Sequence, residues 1–518
     1  MAKFVNSGDS ISSSLLLWND VPTQTSIEET YQLKVWPATN LLNDGPIQFI
    51  IPPQPKGLLS DIHIISKLKI QKNGVDISGP QRDISIINNL ANSLWGEVSV
   101  VLADRTELCQ SMRNAYAYQT FFNHALNSES EHQDYLFYNE AFLMDSGLSK
   151  KSEEDLRIFW KWDESKNYIL EDPDVPDGST IEETQAIMKE NQWDIKFSLE
   201  DRHLIATAFS GDTEDETKIK RDNAMYYSNA WIPTKANSAA SIRSTRVNSG
   251  QSLTLASKFQ CPLFNTSKSL PSNMKIRISV TKNRDEFLLL CNDDAGYNVV
   301  LEDCHLDVTY YRVRDEILNI MEERLAKDAA MYFISRPEII VRPIVLTSKK
   351  IRMNHIFNDK LPSYAFFALQ RSEDFEGKFS SNCYTFIPFT RFQFYVNGVP
   401  YFNDSLEATM TRIKEGNYAC KDFGDYMRQL YKTIGKEAKG NCLIDSTNFH
   451  LNFMAAVSFG ADRSSLSERH LNLQERGSTY IEMDMGVEDV PDDLVLIVYA
   501  LFDRQVQIDQ NRMVRIVE

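Results

Sequence analysis

Apolar residues in this chain recur at every second position more often than at helical spacing, so the sequence predicts a mainly β fold. Two further observations refine that class. Helical patterns are few, and one order of elements occurs twice, which predicts two similar β halves in tandem. Aromatic residues make up 11% of the 518 positions, with 28 Phe and 21 Tyr, a composition suited to strands packed in broad faces.

The strands come first. Lys67–Gln71 (KLKIQ), Lys275–Thr281 (KIRISVT) and Asp303–Tyr310 (DCHLDVTY) alternate strictly, and Arg391–Val396 (RFQFYV) less so. Each turns one apolar face inward and one polar face to water or a neighbour. Leu494–Leu501 (LVLIVYAL) is apolar throughout, which predicts a strand buried on both faces.

Three helices are expected. Arg312 to Asp328 carries Ile317, Ile320, Met321 and Leu325 at helical spacing. Asp422 to Ile434 carries Phe423, Met427, Leu430, Tyr431 and Ile434, and stops at Gly435, a good C-terminal cap. Tyr118, Phe121, Phe122 and Ala125 mark a shorter one. Packing against a sheet is the expected role of all three. The duplication follows from their placement. In each half a strand (Glu97 to Leu102, Phe392 to Val396) leads through a turn to a helix, near Tyr118 and near Tyr426. The 312–328 helix would separate the two copies.

From about Ser146 to Arg221 the chain turns polar and acidic, and reads as a protruding loop insertion of the first half, with a disordered linker as the alternative. A long surface insertion costs little closure entropy. Trp160, Trp162 and Trp193 suggest that part of it packs. Residues 1 to about 44 read as an extended arm that either reaches a neighbouring subunit or a minor protein of the same assembly, or folds back on its own half.

The formal net charge of -17 argues against a surface that coats nucleic acid, because phosphate binding needs clustered Lys and Arg. Two local basic stretches, Ser241–Arg246 (SIRSTR) and Ser348–Arg352 (SKKIR), are expected to be ordinary solvated charge. No run approaches the roughly 20 apolar residues of a membrane span. The apolar part of the N-terminus, Leu15 to Trp18, is too short for a signal peptide, and Ala2 breaks the myristoylation pattern. The 7 Cys are scattered, odd in number and without C-x-x-C, so reduced thiols in a cytosolic or nuclear setting are expected. The sequons at Asn265 and Asn403 are then chance matches.

The search for chemistry is negative. The G-x-S-x-G, H-E-x-x-H, Walker A and dinucleotide patterns do not occur, and Gly377-Lys378 lacks the earlier glycine of a phosphate loop. The 8 His are isolated; His124 and His132 lie eight apart, which is no standard metal pair. Among 72 carboxylates no acid pair stands out; Glu482 and Asp484 fall on the polar face of an alternating strand, and Asp492-Asp493 reads as a turn. No catalytic, cofactor-binding or metal residue is therefore assigned, and no cofactor.

Several segments, in order, resemble the major capsid proteins of Polinton (Maverick) elements and adintoviruses. They are Val21–Glu29 (VPTQTSIEE), Asn43–Phe49 (NDGPIQF) as a first strand, Ile87–Trp95 (INNLANSLW), Glu97–Leu102 (EVSVVL) before Tyr116–Tyr118, and Lys275–Leu290. In the second half, Phe453–Phe459, Ser478–Met485 and Asp493–Val514 resemble the closing strands, with Gln507–Val514 (QIDQNRMV) close to the family's ending. The order over nearly the whole chain carries the likeness; region 146–221 has no match.

The resemblance implies a double jelly roll, two eight-stranded antiparallel sandwiches with a few short helices in loops. Its division would be an arm at 1–44, a first jelly roll at 45–311 with the insertion at about 146–221, a connecting helix at 312–328 and a second jelly roll at 329–518. It further implies a non-enzymatic shell subunit: a hexon-like homotrimer that meets neighbouring trimers and a single-jelly-roll penton or minor capsid protein. Location in the virion and assembly inside the host cell, in the nucleus, follow from the same likeness; the net charge of -17 adds the expectation of no strong direct DNA binding. Two other classes compete. A lectin-like β-sandwich binding module shares the architecture but needs a ligand pocket, and a β-scaffold hydrolase needs converging carboxylates in a cleft.

Overall fold

The computed structural model describes residues 24–145, 251–377 and 384–517, apart from breaks at 42–44, 78–83, 104–105, 110–111, 292–295, 346–349, 358–359, 415–416, 438–441, 447, 464, 467–474 and 487–492, with short pieces at 159–161, 169–171, 239, 242–243 and 246–247. The strands of the first half are β1 (Ile27–Val35), β2 (Ile47–Ile51), β3 (Gly57–Lys72), β4 (Trp95–Leu102), β5 (Thr106–Glu107), β6 (Leu253–Lys258), β7 (Ile276–Lys282) and β8 (Tyr297–Val313). They form two antiparallel sheets in the orders β1-β8-β3-β6 and β2-β7-β4-β5. Apart from the β4-β5 hairpin, neighbours in each sheet are far apart in sequence, which is the jelly-roll arrangement. Ile62, Ile64, Leu68, Leu306 and Val308 of one sheet and Phe49, Val98, Val100, Ile278 and Val280 of the other are fully buried between the layers.

The second half repeats the plan. Its strands are β9 (Ala330–Val345), β10 (Lys350–Asn354), β11 (Tyr364–Arg371), β12 (Arg391–Val396), β13 (Val399–Pro400), β14 (Leu406–Glu407), β15 (Ala455–Ser458), β16 (Thr479–Asp484), β17 (Asp493–Ile508) and β18 (Val514–Val517). The sheets run β9-β17-β11-β15 and β10-β16-β12-β13, with β14 also on β12 and β18 on β17. Phe367 packs across the layers on Phe392 and Phe394, with ring centroids 5.2 and 5.5 Å apart. Strand for strand the two orders coincide, so the expected duplication is visible as topology.

Local chemistry explains the ends. Asn397 and Gly398 both take positive φ (50° and 81°), as the two-residue turn between β12 and β13 requires. Pro337 and Pro343 sit within β9, which is an edge strand paired only with β17, where a missing N–H costs no ladder bond.

The longer helices among the described residues are α1 (Ala115–Asn127), α2 (Gln133–Glu140), α3 (Asp315–Leu325) and α4 (Gly424–Ile434). Gly435 closes α4 at φ 75°, as its C-terminal cap position predicts. Helix α3 follows β8 and precedes β9, but it does not pack as expected: none of its residues is fully buried, and Ile320 is 64% exposed. It is held at its ends, by Lys56 on Asp315 at 2.7 Å and by Arg512 on Glu322.

One expectation is corrected. Residues 27–35, placed in the N-terminal arm, form edge strand β1, paired with β8 from Ile27↔Val313 to Val35↔Leu306. The reason is a weak alternation: Tyr31, Leu33 and Val35 point inward, and Tyr31 stacks on Tyr310 at 5.6 Å. The first jelly-roll strand is thus β1, and Asn43–Phe49 leads into the second. Residues 1–23 lie outside the described residues. So does most of the acidic insertion, in which Phe159–Lys161 and Ile169–Glu171 pair as a hairpin.

Candidate assembly site

The site that distinguishes this chain from two beads on a string is the seam between its sandwiches. Leu494–Leu501 is buried on both faces, as its composition predicts, and so is Tyr364–Gln370. One face of these strands meets the partner sheet of the second sandwich. The other meets α1 of the first. The Phe122 ring stacks on Phe386 and on Tyr499, with centroids 5.4 and 5.1 Å away and planes within 8°. Phe121 stacks on Tyr384 at 4.3 Å. Each such pair contributes about 0.5–1.5 kcal/mol beyond area burial. A single apolar core consequently runs through both halves.

Polar groups fix the register of the seam. Tyr118 donates to Gln370 Oε1 at 2.8 Å, and the hydroxyls of Ser93 and Tyr384 share a bond of 2.7 Å. Asn114 donates to the Phe375 carbonyl at 3.0 Å. Gly377 follows, at φ 84°, so close to Phe287 that a Cβ there would stand 2.7 Å from the Phe287 Cα. The Tyr118–Gln370 and Ser93–Tyr384 bonds are buried, so an unmatched partner there would cost about 1–3 kcal/mol.

Beneath α1 lies a buried polar cluster built from the INNLANSLW segment. Asn89 adopts φ 58° and starts a one-turn helix, Leu90–Ser93. Its side chain donates to Thr120 at 2.9 Å, and Asn92 donates to Glu140 at 2.6 Å. His124 pairs with the same Glu140 oxygen at 2.8 Å. His124 and Glu140 are 6% and 3% exposed, so no substrate reaches them, and the pair serves to anchor α2 on α1.

The other singled-out residues make the following contacts. Arg243, expected to be solvated, is fully buried: it pairs with Asp145 at 2.8 Å and donates to the Ile86 and Leu143 carbonyls. Arg246 lies over Phe137 and donates to its carbonyl at 2.6 Å. Arg352 lies over Tyr480, 3.7 Å from Glu482; residues 348 and 349 lie outside the described residues. His132 meets Tyr135 edge-on, far from a metal set. Glu482 accepts from Tyr395 at 3.2 Å, and Asp484 lies on the same face of β16. Cys109, Cys261, Cys291, Cys304 and Cys442 are free thiols; burial holds the Cys304 thiol up at about 12. Among the described residues no three metal-ligating side chains converge. A groove of about 660 Å³ follows the seam, lined by Gln119, Asn123, Gln260, Lys268 and Phe333 among others. It is open and rich in amides, with no nucleophile–base pair in its lining.

Sequence reading did not find the seam partners Gln370, Tyr384, Phe386 and Tyr499. The available signal was the pair of strands apolar on both faces, which demands a second cover besides the opposite sheet.

Fold and seam together define a double jelly roll. Known structures agree. A chain of the Sputnik virophage structure aligns over 100% of this chain and 94% of its own, at 9% identity and a TM-score of 0.53. The Faustovirus major capsid protein aligns over 95% and 92%, at 9% identity and 0.52. A chain of the PBCV-1 virus capsid aligns over 97% and 99%, at 8% identity and 0.50. At such identities the likeness establishes the fold. No family model matches the sequence, and no curated protein sequence matches it.

Proposed function

We propose that the chain is a major capsid protein, the subunit of a hexon-like homotrimer that tiles the icosahedral shell of a DNA virus or element of the Polinton and adintovirus kind. The observation that carries this reading is the seam: two sandwiches of one strand order are joined side by side through one continuous apolar core. Three such pairs around a three-fold axis present six similar units in a nearly hexagonal outline, and closed symmetry needs only one kind of contact between copies. Capsid proteins of the same fold, seen in virus structures, support the reading.

Within this reading, the first jelly roll extends through residue 311 and carries the acidic insertion, α3 connects, and the second occupies 329–518. A single-jelly-roll penton protein fills the vertices, and assembly takes place inside the host cell, in the nucleus. The role is structural, without catalysis. A net charge of -17, with Arg243 and Arg246 engaged internally, supports packaging through a basic companion rather than through this chain.

Light scattering on the purified full chain is the test. A mass near three times the 59.5 kDa of one chain is expected; a monomer at high concentration would refute the reading.

A further inference from the structure

The internal repeat has an unmatched half. Within one chain, the helix that follows the short outer strand of the first sandwich, α1, covers the outer face of the β9-β17-β11-β15 sheet, at Phe366, Tyr499 and Gln370. The second sandwich has the equivalent helix, α4, after β14. Its inner side packs on its own sandwich through Tyr426 against Phe389 and Phe453. Its other side is bare among the described residues: Asp425 and Arg428 are 52% and 71% exposed, and Lys432 is exposed too. The first sandwich has the equivalent sheet face, on β1-β8-β3-β6; α2 lies against its edge strand β6, while Thr254, Lys67 and Trp36 on the outer face stay exposed.

That face is built like an interface. Ala256, Ile65 and His305 lie in one row across β6, β3 and β8, and the Trp36 ring lies against His305, tilted by 47°, with centroids 4.9 Å apart. Trp36 is 54% exposed, whereas His305 is 9% exposed and its buried Nδ1 has no hydrogen-bond partner. Asp303 stands 3.9 Å from that nitrogen, beyond hydrogen-bond reach. Around this half-apolar centre lie Lys67, Lys258, Asp61, Asp303 and Asp307, a charged rim. An aromatic anchor in an apolar centre with a polar rim is the usual anatomy of a contact that forms between soluble partners. The contrast with the other sheet has a physical reason. The Phe366–Tyr499 face is covered once, during folding, and is apolar; a face that waits in water for a second chain must stay soluble.

We propose that the outer face of β1-β8-β3-β6, centred on Trp36, Ile65 and His305, docks the exposed side of α4 from a second copy of this chain. The contact repeats between chains the one α1 makes within a chain. It is heterologous, so successive copies either close a ring or grow a filament; a three-membered ring gives six near-equivalent seams. This inference rests on the homotrimer reading.

The test compares the full chain with Ile65→Arg, Trp36→Ala and a control, Glu97→Arg, whose site is exposed on β4 of the opposite sheet. Light scattering should give a threefold loss of mass for Ile65→Arg and for Trp36→Ala, with circular dichroism unchanged, while Glu97→Arg stays trimeric. In a second measurement, trimers co-assembled from light and heavy-nitrogen chains are treated with an amine cross-linker. Links from Lys432 to Lys67 or Lys258 that join light to heavy peptides are expected. A trimer that survives Ile65→Arg, or mixed trimers without those links, overturns this surface and leaves the trimer standing. A monomeric parent chain overturns the trimer reading itself.

Discussion

Tyr118 of the first sandwich donates a 2.8 Å hydrogen bond to Gln370 of the second, and both side chains are fully buried. A polar bond in so dry a place fixes how α1 sits on the second sheet, because a shift of register would leave two polar groups without water or partner. Tyr118→Phe should therefore cost about 1–3 kcal/mol. Urea titration followed by tryptophan fluorescence would measure it; an unchanged midpoint would show that the bond does not set the seam.

Phe122 has the larger role there. Phe122→Ala removes a ring held between Phe386 and Tyr499, and truncating a buried Phe costs about 3–5 kcal/mol. Because the lost contacts join the sandwiches rather than build either one, calorimetry should show the single unfolding transition splitting in two. One transition, merely shifted, would mean that the halves remain coupled without this ring.

Arg243 is the buried tie beside the insertion. Arg243→Met leaves the Asp145 carboxylate buried and unpaired and frees two carbonyls. Breaking a buried pair in this way costs about 3–5 kcal/mol. Limited proteolysis should then cleave near residue 145 at protease levels that spare the parent chain.

His305 predicts a pH dependence. Burial holds its pKa below the usual histidine value, Lys34 acts the same way, and Asp307 and Asp303 oppose them. The folded chain thus binds this proton less readily than the unfolded one. The associated stability is present above about pH 6.5 and is lost as pH falls toward the depressed folded value. The urea midpoint should fall between about pH 7 and pH 5.5, and His305→Gln should flatten that slope. An equal slope in both proteins would remove His305 as its source.

Much of the fold was legible in residue patterns. Alternation in KIRISVT and DCHLDVTY marked β7 and β8, and the unbroken apolar run LVLIVYAL marked a strand covered twice. The duplication was readable because each half places a helix after its outer strands. Other parts were hidden for definite reasons. Strand β1 has only three inward apolar residues, Tyr31, Leu33 and Val35, and its polar majority resembles an arm. Arg243 looked like solvated charge because nothing local announces Asp145, 98 residues earlier in the chain, as its partner. The Asn residues of INNLANSLW carried the resemblance, yet their work is a buried polar cluster whose other members, His124 and Glu140, come from two helices.

The central claim is that this chain supplies two equivalent sandwiches to a ring of six. Negative-stain electron microscopy of the purified full chain tests it most directly. The account predicts class averages with a hexagonal outline, six lobes and three-fold symmetry. Isolated two-lobed particles at micromolar concentration would contradict it.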